Sequence, residues 1–181
     1  TVLTDRDALS IFGQLNKKYQ NTFNYIISNS AIGTWIGATP ELLLSIENER
    51  LKTMSLAGTK TPNEEWSKKE FEEQQLVTDT ILKGLRRTQC KSIVTDGPQN
   101  IQAGKIEHLL TNIQADLNNK ADWAPVLTQL HPTPAVCGIP TFEARDFIPQ
   151  LEQYDREYYT GFIGIMNEDN KAFYVNLRCM Q

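Results

Sequence analysis

The spacing of hydrophobic residues changes several times along the chain, and each change predicts an element. Over residues 8–19 the apolar positions recur at helical spacing, and 23–27 then reads as a strand. Three short extended runs follow at 34–37, 41–47 and 51–56, with the polar turn Asn48-Glu49-Arg50 joining the last two as a hairpin. Residues 63–86 carry the longest helical signal, in which Leu76, Val77, Ile81, Leu82 and Leu85 form one stripe. Strand patterns return at 92–95 and 105–113, and short helices are predicted over 122–130 and 141–151, with Asp122 and Thr141 as N-caps. The strands predicted at 161–166 and 172–179 flank Asn167-Glu168-Asp169-Asn170, a hairpin signal. Strands therefore come in antiparallel groups instead of alternating singly with helices, which predicts an α+β fold and not a doubly wound parallel sheet.

A length of 181 residues suits a single domain with a sizeable core. Hydrophobic residues make up 40% and charged residues 22%, without long acidic or basic blocks, which excludes a disordered chain. The net charge of -4 gives no electrostatic footprint for nucleic acid or anionic lipid, so neither is expected as a partner. No apolar run has the length of a membrane span, and the opening TVLTDRDAL lacks the signal-peptide pattern. Cys90, Cys137 and Cys179 are odd in number and widely separated, so neither a disulfide framework nor a zinc site is indicated; a reducing cytoplasm is the expected setting. The chain does not start with methionine and NLRCMQ stops directly after a strand-like run, so a portion of a longer protein is expected. Neither G-x-x-x-x-G-K-[ST] nor G-x-G-x-x-G occurs.

A few polar residues fall where the pattern calls for apolar ones. His108 shares its alternating face with Ile106 and Leu110, as a half-buried structural imidazole would, while Glu107 and Thr111 take the other face. Glu73 stands in line with Val77 and Ile81, which turns it toward the protein body, where a carboxylate needs a basic partner or a cation. Glu72 is equally in line with Leu76, so a solvated flank accounts for the spacing as well. Glu41 opens a strand whose apolar face is Leu42, Leu44 and Ile46, and reads as a strand-entry residue in water. Arg178, on one face with Tyr174 and Asn176, suits a bound carboxylate or an exposed strand edge.

Residues 130–140, LHPTPAVCGIP, combine a histidine with three prolines and a run of small residues. The residue before each proline is pushed to extended backbone, so His131, Thr133 and Ile139 are expected to be extended and regular structure is not expected. Ala135, Cys137 and Gly138 leave room for a ligand or a packed helix, and Gly138 can supply a positive φ.

Taken in order, IGATPELLL (36–44), SLAGTK (55–60), FEEQQLV (71–77), IEHLL (106–110), LHPTPAVCGIP (130–140), YDREYYTGFIG (154–164) and VNLRC (175–179) resemble the chorismate-binding enzymes, within them the isochorismate and salicylate synthases. The resemblance spans nearly the whole chain, which would make residues 1–181 part of one chorismate-binding catalytic domain with the fold of the anthranilate and aminodeoxychorismate synthases. HPTPA marks the isochorismate branch, since the aminating relatives carry a Phe-Pro-Gly-type run there. The implied activity is Mg2+-dependent addition of water to C2 of chorismate with loss of the C4 hydroxyl, giving isochorismate for menaquinone, siderophore or salicylate synthesis.

By the same resemblance Glu41 is the general acid, with its pKa raised by desolvation, and Glu73 binds Mg2+, which clamps the substrate's ring carboxylate. Gly58 and Thr59 form the turn against the substrate, and His108 lies near the ring carboxylate. Tyr159 and Arg178 grip the pyruvyl carboxylate, and Thr133, Pro134 and Ala135 line the pocket beside the ring. His131 is expected to be a structural neighbour.

The family's general base, a lysine in a K-V/I-V-L-S/A-R-like run, has no match before Glu41; Lys17 and Lys18 lie in a helical segment, and Lys60 belongs to a different motif and is expected to be structural or peripheral. The glycine-rich run and C-terminal helix with the second metal-binding glutamate are also unmatched. This chain alone is therefore expected to be inactive and the protein it belongs to active. A salicylate synthase, or a non-catalytic chorismate-binding module, is the alternative; the oligomeric state stays open.

Overall fold

The computed structural model describes residues 7–181, Ala121 by its backbone only; the opening residues 1–6 that begin TVLTDRDAL lie outside it. The first helix, α1 (Ala8–Lys18), starts where the Asp7 carboxylate accepts hydrogen bonds from the Leu9 and Ser10 amides at 2.9 and 3.1 Å. It leads into β1 (Phe23–Asn29) and β2 (Gly33–Thr39), an antiparallel hairpin. Next come β3 (Leu42–Glu47) and β4 (Arg50–Lys60), joined by the predicted turn, in which Asn48 takes φ 58°.

The long helix α2 (Lys68–Arg87) begins five residues later than the apolar pattern predicts. Ser67 and Glu70 form a capping box there, satisfying backbone N–H groups that a longer helix would have left to its own turns. Strands β5 (Lys91–Ala103) and β6 (Ile106–Asp116) form a long hairpin, followed by a 3-10 turn (Lys120–Asp122) and α3 (Trp123–Leu130). Asp122 stands at the N-cap of α3, but its carboxylate accepts from the Asn119 amide at 3.0 Å and so serves the preceding turn. The segment predicted to be irregular contains one helical turn, α4 (Pro134–Cys137), with proline at its first position, where the missing N–H costs nothing. His131 and Thr133 are extended as expected, and Gly138 adopts φ 95°. In α5 (Thr141–Leu151) Thr141 is the first helical residue and Pro140 the N-cap, so Thr141 does not cap. Strands β7 (Phe162–Met166), β8 (Asn170–Val175) and β9 (Cys179–Met180) complete the chain.

Two antiparallel sheets result: β1-β2-β9, and a larger one in the order β5-β6-β4-β3-β8-β7. The α+β class is as predicted. One face of the large sheet is covered by α2 and α3, with Leu44, Leu51, Leu85, Ile113, Val126 and Val175 fully buried between them. Each fully buried leucine or isoleucine contributes about 2 kcal/mol of transfer free energy. No helix among the described residues is long and apolar enough to cross a membrane.

One predicted face is reversed and a second is rotated about its predicted stripe. On β6 the buried positions are Leu109, Thr111, Ile113 and Ala115, leaving Ile106, His108 and Leu110 half-exposed. On α2 the inward face is Gln74, Val77, Thr78, Ile81 and Leu85, while Leu76 is 54% exposed and Glu73 is exposed. Gln74 turns the helix. Its Oε1 accepts from the Ala57 amide at 2.8 Å, and its Nε2 lies 3.1 Å from the Ser55 carbonyl, 2.9 Å from Ser55 Oγ and 3.0 Å from Thr111 Oγ1. Thr78 adds a hydroxyl contact to Ser55 at 2.7 Å.

Buried polar groups robbed of their partner keep the full desolvation cost. Gln74→Leu should therefore destabilise the protein by about 2–4 kcal/mol, read as a lower midpoint in chemical unfolding followed by circular dichroism.

Candidate active site

The site forms where the chain crosses between the two sheets twice. On the outward crossing β2 ends at Thr39, which is fully buried and donates its hydroxyl to the Val175 carbonyl at 2.6 Å, and the chain passes through Pro40 and Glu41 into β3. On the return crossing the chain leaves β8 at Val175 and reaches β9 through Asn176, Leu177 and Arg178. The crossings are stitched by main-chain bonds: the Val175 amide donates to Glu41 O at 3.0 Å and the Ala38 amide to Arg178 O at 3.2 Å. Arg178 has φ 48°, so the predicted strand 172–179 breaks here, and its regular alternation with it. A bulge between Leu42 and Leu44 similarly interrupts β3, so that Leu43 and Leu44 are both buried. Asn176, also buried, donates to the Tyr158 carbonyl at 2.7 Å and accepts from the Tyr25 hydroxyl at 2.5 Å, anchoring the return crossing from both sides.

A second bulge, in β4 opposite β6, forms at Gly58 with φ 71°. A side chain there would sit 3.1 Å from the Glu70 carbonyl, so glycine serves both the backbone angle and the close passage of α2. The bulge brings the Gly58 carbonyl and Thr59 Oγ1 to 3.2 and 3.0 Å from His108 Nδ1. A carbonyl only accepts, so the hydrogen belongs on Nδ1, and Nε2 is left for a ligand. Beyond it Lys60 pairs with Glu107 and lies 5.1 Å from the centre of the Trp66 ring. That engagement fits the structural reading of this lysine.

Crossings, bulge, α2 and α4 together enclose a cleft of about 490 Å³. Glu41, Gly58, Thr59, Glu73, His108, Pro134, Ala135 and Arg178 all line it. Apolar surface comes from Leu56, Leu76, Val77, Ile139 and Leu177, none of which the sequence reading placed in a site. Leu76 had a signal: it belongs to a helical stripe wider than the core needs. Two expected residues are elsewhere. Thr133 is buried behind the wall, bordering a small cavity and not the cleft. Tyr159 lies in the loop before β7, 38% exposed, with its ring 5.9 Å from the Arg156 guanidinium, and it is not in the cleft lining. His131 is a neighbour only; its Nε2 donates to the Thr160 carbonyl at 2.9 Å.

Glu41 is not a solvated strand-entry residue. Burial pushes its pKa up to about 7 from an ordinary 4.5, with the Arg178 guanidinium partly opposing the rise. At neutral pH it is thus poised to hold or to release a proton. Glu73 stands on the rim of the same cleft. Among the described residues no group of three or more His, Cys, Asp or Glu converges as a metal cage. One carboxylate on an open cleft does fit the habit of Mg2+, which takes one or two protein carboxylates and completes its shell with substrate and water.

A profile of the family described as "Chorismate binding enzyme" matches residues 2–181. The chain is 32% identical over 171 residues to the isochorismate synthase EntC of Escherichia coli K12, covering 87% of this chain and 44% of that protein. It also superposes on the solved structure of MenF, the menaquinone-specific isochorismate synthase of Escherichia coli, with TM-score 0.74 and 32% identity over 81% of this chain and 36% of that one. Anthranilate synthase component I of Streptococcus pneumoniae, at 19% identity, shares the fold with TM-score 0.83 over 98% of this chain and 42% of that one. The chain thus spans less than half the length of each.

Because the native state binds the Glu41 proton more tightly than the unfolded chain, the contribution of this group to stability is complete below about pH 4.5 and declines as the pH rises toward 7. Glu41→Gln, which stays neutral, should gain stability over the parent across that window, levelling off above it at no more than about 3 kcal/mol. Thermal unfolding of both proteins from pH 4 to 8 measures the difference; a constant gap would show that Glu41 titrates normally.

Proposed function

The chain belongs to the chorismate-binding enzyme family, and on that premise we propose that the protein it is part of is an isochorismate synthase. The observation that carries the reading is the company Glu41 keeps: a carboxyl with a pKa of about 7 in one cleft with a guanidinium, an imidazole and a second, exposed carboxylate. Chorismate carries two carboxylates and a ring hydroxyl, and each has a counterpart there.

In this proposal water adds at C2 of the ring, the double bonds shift, and the C4 oxygen departs. The hydroxyl is a poor leaving group unless protonated, and Glu41 supplies that proton, so that it leaves as water. Burial keeps the proton available at neutral pH. The Arg178 guanidinium offers a forked donor for the pyruvyl carboxylate, and His108 Nε2 borders the ring carboxylate. Glu73 would hold Mg2+, the metal supplying charge neutralisation at the ring carboxylate when bound. Leu56, Leu76 and Ile139 give the ring apolar surface to rest against while leaving room for the attacking water. Among the described residues Lys60, held by Glu107 and Trp66, is not placed to deprotonate the attacking water; that base would come from elsewhere in the whole protein.

The whole protein, given chorismate and Mg2+, should form isochorismate, resolved by liquid chromatography. Glu41→Gln should lower kcat by roughly 10²–10⁴-fold, and Glu73→Gln should raise the Mg2+ concentration needed for half-maximal rate. Accumulation of salicylate and pyruvate would assign the salicylate synthase activity instead, and undiminished turnover in either variant would remove that residue from its role.

A further inference from the structure

Behind the wall of the cleft lies a second, much smaller space of about 10 Å³, bordered by Glu41, Thr53, Leu56, Val77, Leu130 and Thr133 among others. Glu41 therefore borders both the cleft and this smaller cavity. Thr133 is 7% exposed and its hydroxyl is fully buried, yet that oxygen has no hydrogen-bond partner among the described residues. Other buried hydroxyls nearby are satisfied: Thr53 Oγ1 donates to the Leu43 carbonyl at 2.8 Å and Thr39 Oγ1 to the Val175 carbonyl. A hydroxyl buried without a partner costs on the order of 1–3 kcal/mol.

The cavity is about one water molecule in size and offers the polar neighbours that an internal water needs. Thr133, Glu41 and Thr53 border it, and Thr53 Oγ1, with its hydrogen already used, retains lone pairs to accept with. We propose that one water molecule occupies this cavity and links the Thr133 hydroxyl to the inward oxygen of the Glu41 carboxyl, fixing the orientation in which the outward oxygen faces the cleft.

Thr133 is thus a positioning residue, acting through Glu41 without touching substrate. The inference rests on the reading of Glu41 as the acid of the reaction. An acid that must deliver a proton to one point gains from having its other oxygen tied, because a freely rotating carboxyl presents its proton in unproductive directions. The inward bond is donated to Glu41, so it favours the ionised form and works alongside Arg178 against the burial that raises the pKa. Glu73 on α2 and His108 on β6 are the other ionisable groups facing the same cleft. They stay in place in the test variants.

The test uses the whole protein carrying Thr133→Val, which keeps the shape and removes the hydroxyl, and Thr133→Ser, which keeps the hydroxyl. The Glu41 carboxyl is followed by 13C NMR of glutamate-labelled protein, its resonance assigned with Glu41→Gln. Thr133→Val should move the titration midpoint upward by about half a pH unit to one, while Thr133→Ser titrates as the parent does. With chorismate, kcat in the valine variant should fall by roughly 3- to 10-fold with little change in KM, and serine should restore it. An unchanged midpoint in the valine variant, or equal changes in both variants, would overturn the proposal. If the protein fails to isomerise chorismate while the midpoint moves as expected, the coupling stands and the assigned reaction falls.

Discussion

The position of α2 on the sheet depends on the buried amide of Gln74. Hydrophobic burial alone presses a helix against a sheet without choosing its rotation, because an apolar stripe tolerates some turning and sliding. The amide is directional: it pairs with main-chain and side-chain groups of β4 and β6 at once and is satisfied in one orientation only. Neighbouring residues are displaced by about 100° around a helix, so with Gln74 pointing inward, Glu73 and Leu76 emerge beside the bulge at Gly58. The rim of the cleft is in this sense a by-product of a buried hydrogen-bond network some distance below it.

This also explains what periodicity could and could not reveal. The α+β class, both tight hairpins and the helices α1, α2, α3 and α5 follow from spacing, because those features depend on which residues are apolar; the single turn α4 does not. The exact rotation of α2 does not either, although Val77, Ile81 and Leu85 of the predicted stripe do face inward. Gln74 and Thr78 are buried and Leu76 is exposed, a rotation that hydrophobicity cannot anticipate because it depends on pairing with Ser55, Ala57 and Thr111, residues distant in sequence. The same applies to β6, where Thr111 occupies the buried face as a partner of Gln74, and His108 falls on the face left open.

At the site, the family resemblance identified residues that local patterns left ambiguous. Glu41 read locally as a wet strand entrance and Arg178 as part of an uninterrupted strand; both readings assume regular alternation, and both fail at the crossings, where a bulge and a positive φ suspend it. Resemblance was blind in its turn to depth. It assigned Thr133 and Tyr159 to the substrate, whereas one lies behind the wall and the other out on a loop. Motif matches place residues along a chain, and burial decides which side of a wall they occupy.

At the crossings, the backbone atoms of Glu41, Arg178, Ala38 and Val175 carry the hydrogen bonds that hold the acid beside the cation. Those bonds are indifferent to what side chain occupies positions 41 and 178. Substitution there can change the reagent while the main-chain bonds remain, subject at position 178 to a side chain compatible with φ 48°. A scaffold built in this way is open to evolutionary exchange of chemistry at constant geometry, which is how one fold can serve proteins that have diverged to low sequence identity.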